Sequence, residues 1–99
     1  MIAVYWSYKA RAQLREIHSY IAKDSPRHAA QMVDRLTRRG ERLAIEPRAD
    51  RRMPEYPEDD LREVLERPYR LIFRASPGRV DILTIKHYRQ RLPTQAADL

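Results

Sequence analysis

The sequence predicts an α+β fold: a short N-terminal strand, a two-helix hairpin, then an antiparallel three-stranded sheet. Two observations lead there. Apolar residues recur every three or four positions through the first half of the chain and run in strand-like stretches through its last third. Between the two regimes lies EPRADRRMPEYPEDD (46–60), whose three prolines and charge clusters mark a surface loop. Ninety-nine residues are enough for one hydrophobic core and too few for two, so 1–99 is read as a single domain.

Each element has its own justification. Residues 2–6, IAVYW, are β-branched and aromatic and make the first strand. Ser7 stands where a helix N-cap belongs, and Ala10, Leu14, Ile17 and Ile21 form one apolar stripe behind it. That helix should stop near Lys23-Asp24. Ser25-Pro26 then starts a second helix, with proline at the first position, where its missing N–H does no harm. Ala29, Val33, Leu36, Gly40 and Leu43 repeat the stripe, and Gly40 within it should let another backbone come close. Strands are expected over 61–66, 69–75 and 80–88, the last two joined by the turn Ser-Pro-Gly-Arg (76–79). The small, polar segment 94–99 should fray.

Composition narrows the function. The formal net charge is +6, and arginine outnumbers lysine 17 to 3. Arginine's planar fork pairs bidentately with carboxylate or phosphate, so an anionic partner fits, either nucleic acid or an acidic protein segment. The plainer reading is a solvated basic surface. There is no cysteine and the three histidines are scattered, so neither a thiolate site nor a zinc site is expected, and no cofactor. The opening is not that of a signal peptide, and no apolar run is long enough for a membrane span. A cytoplasmic protein is expected.

YRLIFRASPGRVDILTIKHYR (69–89) raises the main question, because arginine interrupts runs that would otherwise make good core strands. Pairing 75 with 80 and continuing regularly puts Tyr69, Leu71, Phe73, Ala75, Val80, Ile82 and Thr84 on one face, under the helices. Arg70, Ile72, Arg74, Asp81, Leu83, Ile85 and His87 then share the other. Arg74 opposite Asp81 reads as a structural cross-strand pair. Arg70 has no evident acidic neighbour on its face, which makes it the residue of most interest.

A strand ending in Trp-Ser, the pattern AxxxLxxIxxYI, a Ser-Pro-initiated second helix, REVxxxPYRLIFR and VDILTIKHYR occur here in that order. From Val4 to Pro93 the chain thereby resembles the RelE/ParE superfamily of toxins from type II toxin–antitoxin systems. The resemblance implies a toxin held inactive in a hetero-oligomer by a cognate antitoxin with an acidic segment. It also implies one of two targets. RelE- and YoeB-like members cut mRNA on the ribosome without a metal, a reaction needing a base, a phosphate clamp and an acid. By that resemblance Glu55 would be the base, Arg70 the clamp and His87 the acid, with Tyr88 beside it and Arg62 and Arg74 adding phosphate contacts. Imidazole, with an ordinary pKa of about 6.5, suits such an acid.

ParE members resemble instead a non-enzymatic poison of DNA gyrase. The long helices, the Ser-Pro junction and the ending HYRQRLP favour this branch. So does the loop, which lacks a lysine cluster and offers only Arg48, Arg51 and Arg52. Regular alternation would moreover put Tyr88 on the face opposite His87. On either branch the antitoxin or target is expected to meet Arg62, Arg70, Ile72, Arg74, Leu83, Ile85, His87 and Arg89, with Ile72, Leu83 and Ile85 covered by the docked partner. His18 and His28 read as surface residues, and Trp6 and Tyr20 as packing between helices and sheet. A basic, non-toxic RNA-binding module ranks last, because the polar sheet face offers no aromatic for base stacking.

Overall fold

The computed structural model describes residues 1–47 and 51–99. Both helices begin where the serine signals put them. The Ser7 side chain accepts from the Ala10 N–H at 2.9 Å, opening α1 (Tyr8–Ala22). The Ser25 side chain accepts from the His28 N–H at 3.1 Å, opening α2 (Pro26–Glu41) with Pro26 in its first turn. Each cap satisfies an N–H that has no partner inside its helix. A 3₁₀ turn over Arg42–Ala44 closes the hairpin.

The expected antiparallel sheet of β3 (Leu61–Glu66), β4 (Tyr69–Ser76) and β5 (Arg79–His87) is present, and two short strands extend it. β1 (Ala3–Trp6) joins β5 in parallel and β2 (Arg51–Arg52) joins β3, giving a mixed sheet of order β1-β5-β4-β3-β2. The β4–β5 turn is carried by Pro77 and Gly78. Gly78 has φ +74°, a left-handed conformation that a Cβ would oppose.

The register corrects the sequence reading at one point. Ala75 pairs with Val80, Arg74 with Asp81 and Phe73 with Ile82, as regular alternation requires. Ile72 then pairs with Thr84, leaving Leu83 as an extra residue in a β-bulge. Every side chain past the bulge changes face relative to the regular register. Leu71 therefore pairs with Ile85, Arg70 with Lys86 and Tyr69 with His87. Ile85 and His87, expected beside Arg70, go to the helix side instead. Helix α1 secures the irregularity. Ser7 Oγ donates to the Leu83 carbonyl at 2.7 Å, and Gln13 accepts the Ile85 N–H at 2.7 Å while its amide donates to Thr84 Oγ1 at 2.9 Å.

Two cores result, one on each face of the sheet. The larger lies under the helices and joins Ala10, Leu36 and Leu43 to Val64, Leu71, Phe73, Val80, Ile82 and Ile85. The smaller is on the outer face, where Met53, Tyr56 and Leu61 bury Ile72, with Leu83, Leu92, Ala96 and Leu99 packed around them. The last residues are thus not frayed. Ala96–Asp98 form a 3₁₀ turn, and their anchor is Tyr56, whose hydroxyl donates to the Pro93 carbonyl at 2.6 Å. Apolar contacts with the outer face outweigh the polar composition of that segment.

Two packing expectations also change. Gly40 receives a ring rather than a backbone: a Cβ there would lie 2.4 Å from Trp6 Cζ2 and 2.9 Å from Ile82 Cδ1. Tyr20 is exposed, with the Lys23 ammonium 6.0 Å from its ring, while Trp6 does pack against the main core.

Gly40→Ala is expected to lower stability. Overpacking costs about 1–3 kcal/mol, against a gain of about 1 kcal/mol in helix propensity; an unchanged or raised Tm would show that Trp6 has room to move. Gln13→Ala should cost about 1–3 kcal/mol in urea unfolding, because it orphans the Ile85 N–H and the Thr84 hydroxyl. A midpoint equal to wild type would mean that water replaces the glutamine.

Candidate interaction surface

The arginines that interrupt the strands have different partners. Arg70 points to the outer face, where its guanidinium lies 3.2 Å from Glu63 and 3.8 Å from Glu55. Its side chain is only 11% exposed, and that of Glu63 is fully buried. Arg51, on β2, approaches the other Glu63 oxygen at 2.5 Å. The residue expected to lack an acidic neighbour therefore has two, drawn from β3 and from the loop before it. An ion pair this deep gains its strength from low dielectric and loses much of it again to desolvation. Removing one partner leaves the other charge stranded.

Arg74 does lie in register with Asp81, as read from the sequence, but the Asp81 carboxylate is bonded by Arg79 at 2.9–3.0 Å. The Arg79 guanidinium also sits 4.0 Å from the Tyr5 ring centroid, so strand β1 contributes to that cluster. Arg74 is exposed. Arg62 pairs with Phe73 and so belongs to the helix-side face, away from Arg70 and Arg74. Arg48 lies outside the described residues.

Of the three aliphatic residues expected under a docked partner, Ile72 is buried by Met53, Tyr56 and Leu61 of the same chain. Leu83 is partly buried beside them, and Ile85 is in the main core across the sheet. Lys86 takes the place opposite Arg70 that the regular register gives to Ile85. Burial lowers the Lys86 pKa, and the charges of Lys9 and Arg70 lower it further.

The end of β5 is organised by rings. His87 meets Tyr69 edge-on at 5.5 Å and stacks on Tyr88 at 5.0 Å. The strand ends at His87, so Tyr88 is not carried to the opposite face as a regular strand would require. Its N–H donates to the Pro68 carbonyl at 2.8 Å. His87 Nδ1 accepts the Arg89 N–H at 3.1 Å. Arg89 Nε in turn donates to the Tyr88 hydroxyl at 3.0 Å. The Tyr69 hydroxyl titrates above the ordinary phenol range, chiefly through burial.

The four residues of the nuclease alternative therefore fall into two pairs. Glu55 and Arg70 meet on the outer face, whereas His87 and Tyr88 meet on the helix-side face at the sheet's end. Among the described residues no group of three or more His, Cys, Asp or Glu could hold a metal ion, and no helix is long and apolar enough to cross a membrane.

These features match known proteins along most of the chain. The family model described as "ParE toxin of type II toxin-antitoxin system, parDE" matches residues 4–92. The chain belongs to the ParE toxin family. It is 36% identical over 90 residues to the Sinorhizobium fredii protein Y4kP, which is named as a toxin, covering 89% of this chain and 90% of that one. Among solved structures it is similar to a chain of the chromosomal ParDE system of P. aeruginosa, with a TM-score of 0.73 and 27% identity. That match covers 88% of this chain and 96% of that one. The expected superfamily and fold class are both those found, and the ParE branch is the one that matches.

Sequence reasoning missed Glu63, Tyr56 and Gln13. A signal for Glu63 was present in LREVLE, where it shares alternation with Leu61 and so had to face either core or an arginine. Glu63→Ala should destabilise this ParE chain by about 3–5 kcal/mol, by removing the buried carboxylate nearest Arg70 and leaving that guanidinium only the longer contact to Glu55. Asp34→Ala, which breaks the exposed pair with Arg38, should cost about 0–1 kcal/mol. Equal denaturant midpoints for the two variants would contradict the structural role given to Glu63.

Proposed function

We propose that this ParE toxin arrests growth by poisoning DNA gyrase in the cytoplasm, and that a cognate antitoxin with an acidic segment holds it silent in a hetero-oligomer. The observation that carries the choice of target is the division of Glu55–Arg70 from His87–Tyr88. Cleavage by the 2′-hydroxyl needs base, phosphate clamp and acid around one phosphate, within hydrogen-bond reach of it. Here the base and clamp candidates are engaged with each other beside a buried glutamate, and the acid candidate faces the other side of the sheet. This arrangement supports a toxin that works by binding. The net charge of +6 supports an acidic antitoxin segment, and the similar P. aeruginosa chain comes from a ParDE toxin–antitoxin system.

In this reading Arg74 and Arg89 meet the partner or target directly, together with the accessible parts of Arg62, Leu83 and His87. Arg70, Ile72 and Ile85 contribute by holding the sheet in shape. The deciding experiment incubates antitoxin-free protein with gyrase, supercoiled plasmid and ATP, then adds detergent and protease. Linear DNA is the expected product, with mRNA left intact on programmed ribosomes. A protein that halts growth and cleaves ribosome-bound mRNA, yet yields no linear DNA, would overturn the proposal in favour of a metal-independent endoribonuclease.

A further inference from the structure

At the end of the sheet away from the Pro77–Gly78 turn, Leu65, Arg67, Pro68, Tyr69 and Tyr88 line a cleft of about 460 Å³. Its walls are mainly apolar and stand open to solvent, Leu65 being 47% and Tyr88 53% exposed. Large apolar groups gathered around one concavity are a recognised mark of an interaction site. The cleft is also held in shape. Tyr88 is bonded to Pro68 through its N–H, to Arg89 through its hydroxyl and to His87 by stacking, and His87 is braced by Tyr69. A binder therefore meets a preformed surface and loses little free energy in ordering it.

Charge narrows the occupant. Arg67 lines the cleft and Arg89 adjoins it, whereas no acidic side chain is among the lining residues. The neighbouring Glu66 carboxylate is neutralised by Arg35 of α2 at 2.7 Å. An apolar hollow with a cationic rim fits an apolar side chain carried on an acidic peptide. A nucleic-acid base fits it less well. His87 stacks on Tyr88 and the Arg89 guanidinium lies 5.5 Å from the centroid of the same ring, so both already compete with a base for stacking there.

We propose that this cleft receives an apolar side chain from an acidic segment of the antitoxin. The proposal rests on the toxin–antitoxin reading above and moves the apolar anchor point from Ile72 and Ile85, which the fold has buried, to Leu65, Tyr69 and Tyr88. It is a binding anchor at the centre of a charged rim, the arrangement in which a few side chains carry most of an interface's affinity.

The test titrates the antitoxin encoded with this toxin into the full-length chain by calorimetry. The toxin is wild type, Leu65→Glu, Tyr88→Ala, Arg67→Glu or, as a charge control on the exposed face of α1, Arg15→Glu. Circular dichroism checks each fold, and Leu65→Ala replaces Leu65→Glu if the charged variant is unfolded. Leu65→Glu and Tyr88→Ala should each weaken binding about 30-fold or more, as loss of a central anchor does. Arg67→Glu should weaken it less and flatten its salt dependence. Arg15→Glu should stay within about threefold of wild type. Wild-type affinity in the folded Leu65 and Tyr88 variants would overturn the cleft assignment and leave the toxin reading standing. A wild-type chain that binds no antitoxin would bring down both. Variants that keep antitoxin affinity but no longer generate linear DNA with gyrase would overturn the proposal by giving the cleft to the target.

Discussion

Strand β5 carries one residue more than β4 can pair, and the accommodation of that residue sets the rest of the structure. A bulge frees backbone groups that a regular ladder would have used, and buried groups of that kind cost about 1–3 kcal/mol each if unpaired. Here β1 runs beside β5 only as far as Trp6, and the Ser7 N–H makes the last strand-like bond, to the Ile82 carbonyl at 2.9 Å. From that point α1 takes over. Ser7 and Gln13 supply by side chain what a longer β1 would have supplied by backbone. One serine caps the helix and bonds the bulged strand at once, so the start of α1 and the register of β5 are fixed together.

The consequence is a sheet whose two faces differ along its length. Before the bulge, alternation distributes β5 as a regular hairpin would. After it, Ile85 joins the main core and His87 goes to Tyr69, while Lys86 comes to Arg70. The outer face therefore has no aliphatic floor reaching the end of β5. Ile72, Leu61 and Leu83 form a patch there small enough for Met53, Tyr56 and the C-terminal segment to cover. Beside this patch the buried Glu63 joins arginines from two further strands. The outer face is thereby largely closed by the chain itself, with Leu65 and Tyr88 left exposed at its rim.

Much of this was legible from local pattern. The helix stripes, both serine caps, the proline at the start of α2 and the Pro-Gly turn are signals whose physics acts within a few residues, and each element formed where its signal stood. The bulge was not legible, because its cause is not in β5. VDILTIKH lacks strict alternation: Ile82, Leu83 and Ile85 fit either register, and the one adopted is held by Gln13, seventy-two positions away from the N–H it accepts. The partners of Arg70 were hidden for the same reason. Glu63 reaches it only through the register of β3 against β4, and Glu55 only through the path of a proline-rich loop. The docking of 94–99 depends on a hydrophobic patch whose extent the bulge decides.

The same register separates structural arginine from available arginine. Composition alone shows an excess of cations and says nothing of which are spent inside the fold. Arg70, the most suggestive in sequence, is deeply engaged, and charges so placed hold geometry more than they attract partners. Arg67, Arg74 and Arg89 have less claim on the eye in the sequence, yet all three are exposed. Because attraction between solvent-exposed charges reaches only about 10 Å at ordinary salt, a cation acts on a partner only where the partner can come close. On the docking proposed above, the arginines that matter are those beside an open apolar surface, and at the rim of this sheet Arg67 and Arg89 flank Leu65 and Tyr88. An antitoxin docked that way would be read at that junction of charge and exposed ring, while the buried Glu63–Arg70 pair serves the fold.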